Sequence, residues 1–72
     1  MTKATNLKTK HIGRRVCIFN RKGSALLYGE EVTLKKCTPD NIPILTCETK
    51  FYVNMDLDDI FFIQKSDLIK FV

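Results

Sequence analysis

Apolar and polar residues alternate with a period of two along much of this chain, the spacing of a half-buried β-strand. Val32 and Leu34 alternate with Thr33 and Lys35, which predicts one strand. Leu45, Cys47, Thr49, Phe51 and Val53 alternate with Thr46, Glu48, Lys50, Tyr52 and Asn54. This second series fits one long bent strand or two strands with a tight turn near Thr49-Lys50, and two strands are favoured. Arg15-Val16-Cys17-Ile18-Phe19 is β-branched and aromatic, and it predicts a strand on composition as well as pattern. Asn20-Arg21-Lys22-Gly23 follows as a turn, with glycine where a positive φ is tolerated. Ala25 to Tyr28 is expected to return antiparallel and complete a hairpin with a basic tip. Gly29 then marks a bulge or sharp bend.

Thr38-Pro39-Asp40-Asn41 is a strong turn signal, with proline presetting φ at its second position. Asn54 to Asp59 is expected to interrupt the ladder before a last strand at Ile60–Ile63. Ser66-Asp67 opens either one helical turn over Leu68-Ile69 or a strand through Ile69, Phe71 and Val72. Helical periodicity is not sustained anywhere, and there are no internal repeats. Residues 1–13 are rich in Thr, Lys and Asn, have only Leu7 and Ile12 as sizeable aliphatics, and end at Gly13. They predict a flexible basic N-terminal arm, leaving residues 14–72 as the folded domain.

About five short strands with closely spaced turns indicate an all-β fold, a small antiparallel barrel. Gly13-Arg14-Arg15-Val16 and Gly29-Glu30-Glu31-Val32 enter strands, and Asp58-Asp59-Ile60 precedes another. Over roughly residues 13–65 this succession resembles SH3-like barrels, the broad group that includes Tudor-type, KOW-type and small phage-encoded domains. An OB-type barrel is the nearest rival. Tryptophan is absent, and neither a Tudor-type aromatic cage nor a proline-binding aromatic groove is evident.

Charge sharpens the picture. Residues 1–29 carry Lys3, Lys8, Lys10, Arg14, Arg15, Arg21 and Lys22 and no acid, whereas residues 30–72 carry five basic and eight acidic residues. The two segments contribute +7 and −3, together the net charge of +4. A front end of one sign seeks a polyanion, because each cation that neutralises a phosphate releases condensed counterions. Lys8, Lys10, Arg14, Arg15, Arg21 and Lys22 are the candidate nucleic-acid contacts. Arg14-Arg15 and Arg21-Lys22 flank the first expected strand and are expected to share one rim of the barrel.

Candidate chemistry narrows the field further. The only histidine, His11, lies in the expected arm, and no nucleophile–base pair, glycine-rich phosphate loop or pair of catalytic carboxylates appears. No catalytic residue, cofactor or enzymatic activity is therefore expected. His11, Cys17, Cys37 and Cys47 lack the closely spaced ligand pairs of a zinc site, and no metal site is assigned. An odd number of irregularly spaced cysteines suits a reducing compartment. The longest apolar runs, such as Ile60–Ile63, fall far short of the ~20 residues that span a bilayer. A soluble, cytoplasmic protein with no membrane partner is expected.

These features predict a non-enzymatic accessory or regulatory protein that contacts nucleic acid, DNA or RNA, through phosphates. The alternative is a protein–protein interaction module, such as a phage or mobile-element adaptor or an inhibitor of a larger host enzyme or nucleoprotein complex. Tyr28, Tyr52, Asp56, Asp58 and Asp59 are its candidate contact residues.

Overall fold

The computed structural model describes residues 1–38, 48–54 and 60–72. Six strands form one antiparallel sheet: β1 (Thr2–Lys3), β2 (Arg15–Phe19), β3 (Val32–Lys36), β4 (Phe51–Asn54), β5 (Ile60–Phe62) and β6 (Leu68–Phe71). Their order across the sheet is β1-β6-β2-β3-β4-β5, so β6 returns to lie beside β2 and β1 extends that side. Short 3₁₀ turns occupy Ala4–Asn6, Thr9–His11 and Leu27–Gly29. No helix among the described residues is long and apolar enough to cross a membrane.

Register explains which residues make the core. Val16 lies opposite Val32 and Phe71, Ile18 opposite Ile69, and Leu34 opposite Val53. These residues recur at every second position of their strands, so one face of the sheet collects Val16, Ile18, Leu34, Val53, Ile63 and Ile69, all fully buried. Burying each such side chain stabilises the fold by about 1.5–3 kcal/mol relative to leaving it exposed. Ala4 and Leu7 from the N-terminal segment insert into the same cluster.

That insertion corrects the expected arm. Residues 1–13 lie against the sheet: Thr2 and Lys3 pair with Ile69 and Leu68, the Ala4 N–H donates to the Asp67 carbonyl, and the Gly13 N–H donates to the Leu34 carbonyl. Burial of Ala4 and Leu7 supplies the apolar anchorage that a free arm lacks.

The expected closed barrel is corrected as well. The sheet is open, with β1 and β5 at its edges and no ladder joining them among the described residues. Ala25–Tyr28 does not form a return strand. A single bridge links Phe19 with Ala25, and the chain then turns through Leu27–Gly29. The strand expected at Ile60–Ile63 is β5, but it is not the last one. Leu68–Phe71 forms β6, which settles the choice there in favour of a strand. The expected strand before the Glu48–Lys50 turn and the turn at Thr38–Asn41 lie wholly or largely outside the described residues.

Candidate functional site

Every charged residue within the six strands is basic: Lys3, Arg15, Lys35, Lys36 and Lys70. The described acids, Glu30, Glu31, Glu48 and Asp67, all lie in connections. Register gathers most of these cations on the face opposite the core. Lys3 pairs with Leu68, which pairs with Phe19. Lys70 pairs with Cys17, and Arg15 with Thr33. Lys3, Lys70 and Arg15 thus occupy successive cross-strand rows two residues apart, a step of about 6.7 Å along the strands. All three are exposed, and half-buried Phe19, Cys17 and Leu68 form the floor between them.

Arg21 extends this face at one end. With Lys3 and Lys65 it lines a groove of about 620 Å³, whose wall also carries Glu48 and Asp67. Asp67 is buried, and its Oδ2 accepts the Gln64 N–H at 2.9 Å. Burial raises its pKa above the ordinary aspartate value; the Gln64 hydrogen bond opposes that shift and the nearby Glu48 charge adds to it. At the other end Arg15 meets Glu31, with Nε 3.9 Å from a carboxylate oxygen and a guanidinium N–H donating to the Glu31 carbonyl at 3.2 Å. Both side chains are about half exposed or more, so this pair contributes little to stability and leaves Arg15 recruitable.

A second cationic group lies at the edge of the core face. Arg14 has the same alternation parity as Val16, and its guanidinium sits 4.8 Å from the centre of the Phe71 ring. His11 stacks on that ring at 4.8 Å, tilted by 40°. The imidazole Nδ1 accepts the Lys8 N–H at 3.0 Å, which requires an unprotonated Nδ1. The His11 pKa is lowered, first by desolvation and then by the positive charges of Lys10, Arg14 and Lys8. A phosphate entering this group would offset the part of that lowering that comes from the three cations.

The structure therefore divides the six cations singled out in the sequence. Lys8, Lys10 and Arg14 gather around His11; Arg15 and Arg21 border the outer face. The expected shared rim is not found, because Arg14-Arg15 and Arg21-Lys22 lie at opposite ends of β2, separated by about 13 Å of strand. Arg21 and Lys22 sit in a turn, as expected. The Asn20 side-chain oxygen accepts the N–H groups of Lys22 (2.8 Å) and Ser24 (3.0 Å), and Gly23 takes φ +87°.

Of the other candidates, Tyr52 is corrected to a buried position. It packs with Cys37 and Phe62 in a small second cluster on the outer side of β3–β5. Asp56, Asp58 and Asp59 lie outside the described residues. Tyr28 is 99% exposed. It stands at the centre of a turn in which Leu27 (φ +55°), Tyr28 (φ +54°) and Gly29 (φ +76°) are all left-handed. That conformation costs about 1–2 kcal/mol at each non-glycine residue. Leu26 and Leu27 pack against the core, and the Leu26 N–H donates to the Ile18 carbonyl, so the turn is anchored where the chain enters its bend. Lys3, Lys65 and Lys70 join the site from outside the six candidate contacts. The available signal for Lys70 is the alternation of Leu68 and Lys70 with Ile69 and Phe71.

Set against family models, curated proteins and solved structures, the chain matches none of them.

Proposed function

We propose that this protein is a non-enzymatic nucleic-acid-binding accessory protein that holds phosphates on the outer face of β1, β6 and β2. The observation that carries the proposal is the single sign of charge within the strands, where Lys3, Lys70 and Arg15 stand in consecutive rows. Strand pairing fixes those rows, so the cations meet a polyanion without first being gathered at an entropic cost. Such contacts give affinity with little sequence readout. His11 suits an anion contact better than base catalysis, since its Nδ1 is engaged by backbone and three cations surround it.

The fold is read as an open variant of the SH3-like architecture. Support comes from the five strands β2–β6, in which the last returns beside the first while the others follow in chain order. The protein-contact alternative draws less support. Of its five residues Tyr52 is buried, Tyr28 is exposed, and Asp56, Asp58 and Asp59 lie outside the described residues.

The test is an equilibrium titration of the intact protein against fluorescent single-stranded DNA, duplex DNA and RNA across a salt series. Micromolar or tighter binding is expected at moderate salt, with a log–log slope of about −2 or steeper for three or more phosphate contacts on a single strand. Binding confined to very low salt would remove the proposal.

A further inference from the structure

The exposed Tyr28 lies beside the cationic face. The turn that carries it is fastened there by Gly29, whose carbonyl accepts from the Cys17 thiol at 3.7 Å. Cys17 is the cross-strand partner of Lys70. One flank of Cys17 therefore presents a lysine and, a row away, Lys3; the other flank leads through β3 to Glu31 and Glu30. An aromatic ring stands next to this asymmetric boundary, held in solvent by a backbone that is unfavourable for tyrosine. In the free protein the ring is 99% exposed, so little contact area repays that conformation. Leu27, by contrast, packs against the core.

We infer that Tyr28 is a stacking platform for a base of single-stranded nucleic acid whose phosphates lie on Lys70, Lys3 and Arg15, an inference that rests on the phosphate-binding reading above. A single strand can turn its bases away from its backbone, so phosphates on the lysine flank and a base on the tyrosine ring can be engaged together. In a duplex the base faces are already stacked and unavailable to the ring. A second phosphate backbone on the far flank would also approach Glu30 and Glu31. The left-handed turn lowers the cost of binding, because the ring is presented before the ligand arrives. Stacking is tolerant of sequence, since every base has a π-face, and this agrees with a site otherwise built on phosphate contacts.

The test uses the full chain with Tyr28→Ala, Tyr28→Phe and Tyr28→Trp, titrated against a fluorescent oligothymidine of about 12 nucleotides and against a duplex. The chain has no tryptophan, so Tyr28→Trp places one intrinsic fluorophore in the turn. Tyr28→Ala is expected to weaken single-strand binding about 5- to 150-fold without changing the salt slope. Tyr28→Phe is expected to bind like the parent. The indole emission of the Tyr28→Trp variant is quenched on binding unlabelled oligothymidine, and weaker duplex binding is unaffected by Tyr28→Ala. Thermal unfolding of the alanine variant checks that the fold persists. Salt-dependent binding that Tyr28→Ala leaves unchanged would overturn the stacking role while the phosphate reading stands. Equal losses on single strand and duplex would overturn the single-strand preference. No binding of either by the parent protein would remove both readings and turn attention to a protein partner for Tyr28.

Discussion

The two cationic groups differ in how the fold holds them. Lys3, Lys70 and Arg15 project from paired strands in regular rows, and Lys3 and Lys70 have no ion pair among the described residues. Lys8, Lys10 and Arg14 surround His11 at the edge of the core, with Arg14 and His11 both laid on Phe71. The first group is a surface whose spacing is set by β-geometry; the second is a crowded cluster whose charges already act on a neighbouring histidine. Arg14 and Arg15, adjacent in the chain, face opposite sides, whereas Lys3 and Lys70 come together from its two ends. Clustering along a sequence is thus a poor guide to clustering on a sheet, where alternation separates neighbours.

The largest effect is expected from removing the ordered group. Combined Lys3→Gln, Lys70→Gln and Arg15→Gln substitution is expected to weaken single-strand binding roughly tenfold or more and to reduce the magnitude of the salt slope by about 2, at about 0.7 per lost phosphate contact. Fluorescence anisotropy across a salt series measures both. Lys8→Gln with Lys10→Gln is expected to change the slope by less than about 0.7, which sharpens the contrast. The reverse ranking would move the site to the His11 cluster.

Tyr28→Gly is expected to separate stability from binding. Glycine relieves the left-handed strain, so thermal unfolding is expected to shift up by a few degrees, for a gain of about 0.5–1 kcal/mol. Affinity for a single strand falls in the same variant. The smallest effect concerns pH. The folded-state pKa of His11 is lowered, so the unfolded chain binds more protons in the window just below the ordinary histidine value. Stability is expected to fall modestly as pH drops through that window and to recover above it. His11→Gln should flatten this dependence in thermal unfolding followed from about pH 5 to pH 8.

Much of the sheet is legible in the sequence because local pattern and tertiary burial agree. Val16 and Ile18, then Val32 and Leu34, carry their alternation directly into the core. The Asn20–Gly23 turn is legible for a chemical reason, with an asparagine oxygen for two N–H groups and a glycine for the left-handed position. Long-range pairing hides the rest. The N-terminal segment looks detached because Ala4 is small and β1 has only two residues, yet its partner β6 lies at the far end of the chain. Alternation predicts an outward Tyr52; it does point outward, but Cys37 and Phe62 bury it there in a cluster that simple alternation does not anticipate. Ala25-Leu26-Leu27-Tyr28 reads as a returning strand because it follows the Asn20–Gly23 turn, not because of its composition. Only the backbone shows that Leu27 turns inward and Tyr28 outward on a left-handed bend. The site is legible as charge but not as place, since Lys70 acquires its meaning only from the Cys17 register.

The most direct test of the outer-face site is an amide chemical-shift titration of the intact protein with a short single-stranded oligonucleotide. The largest shifts are expected at Lys3, Cys17, Phe19 and Lys70 and in the Leu27–Gly29 turn, with smaller ones over Lys8–Arg14. Shifts confined to Lys8–Arg14, or a spectrum that the oligonucleotide leaves unchanged at moderate salt, would contradict it.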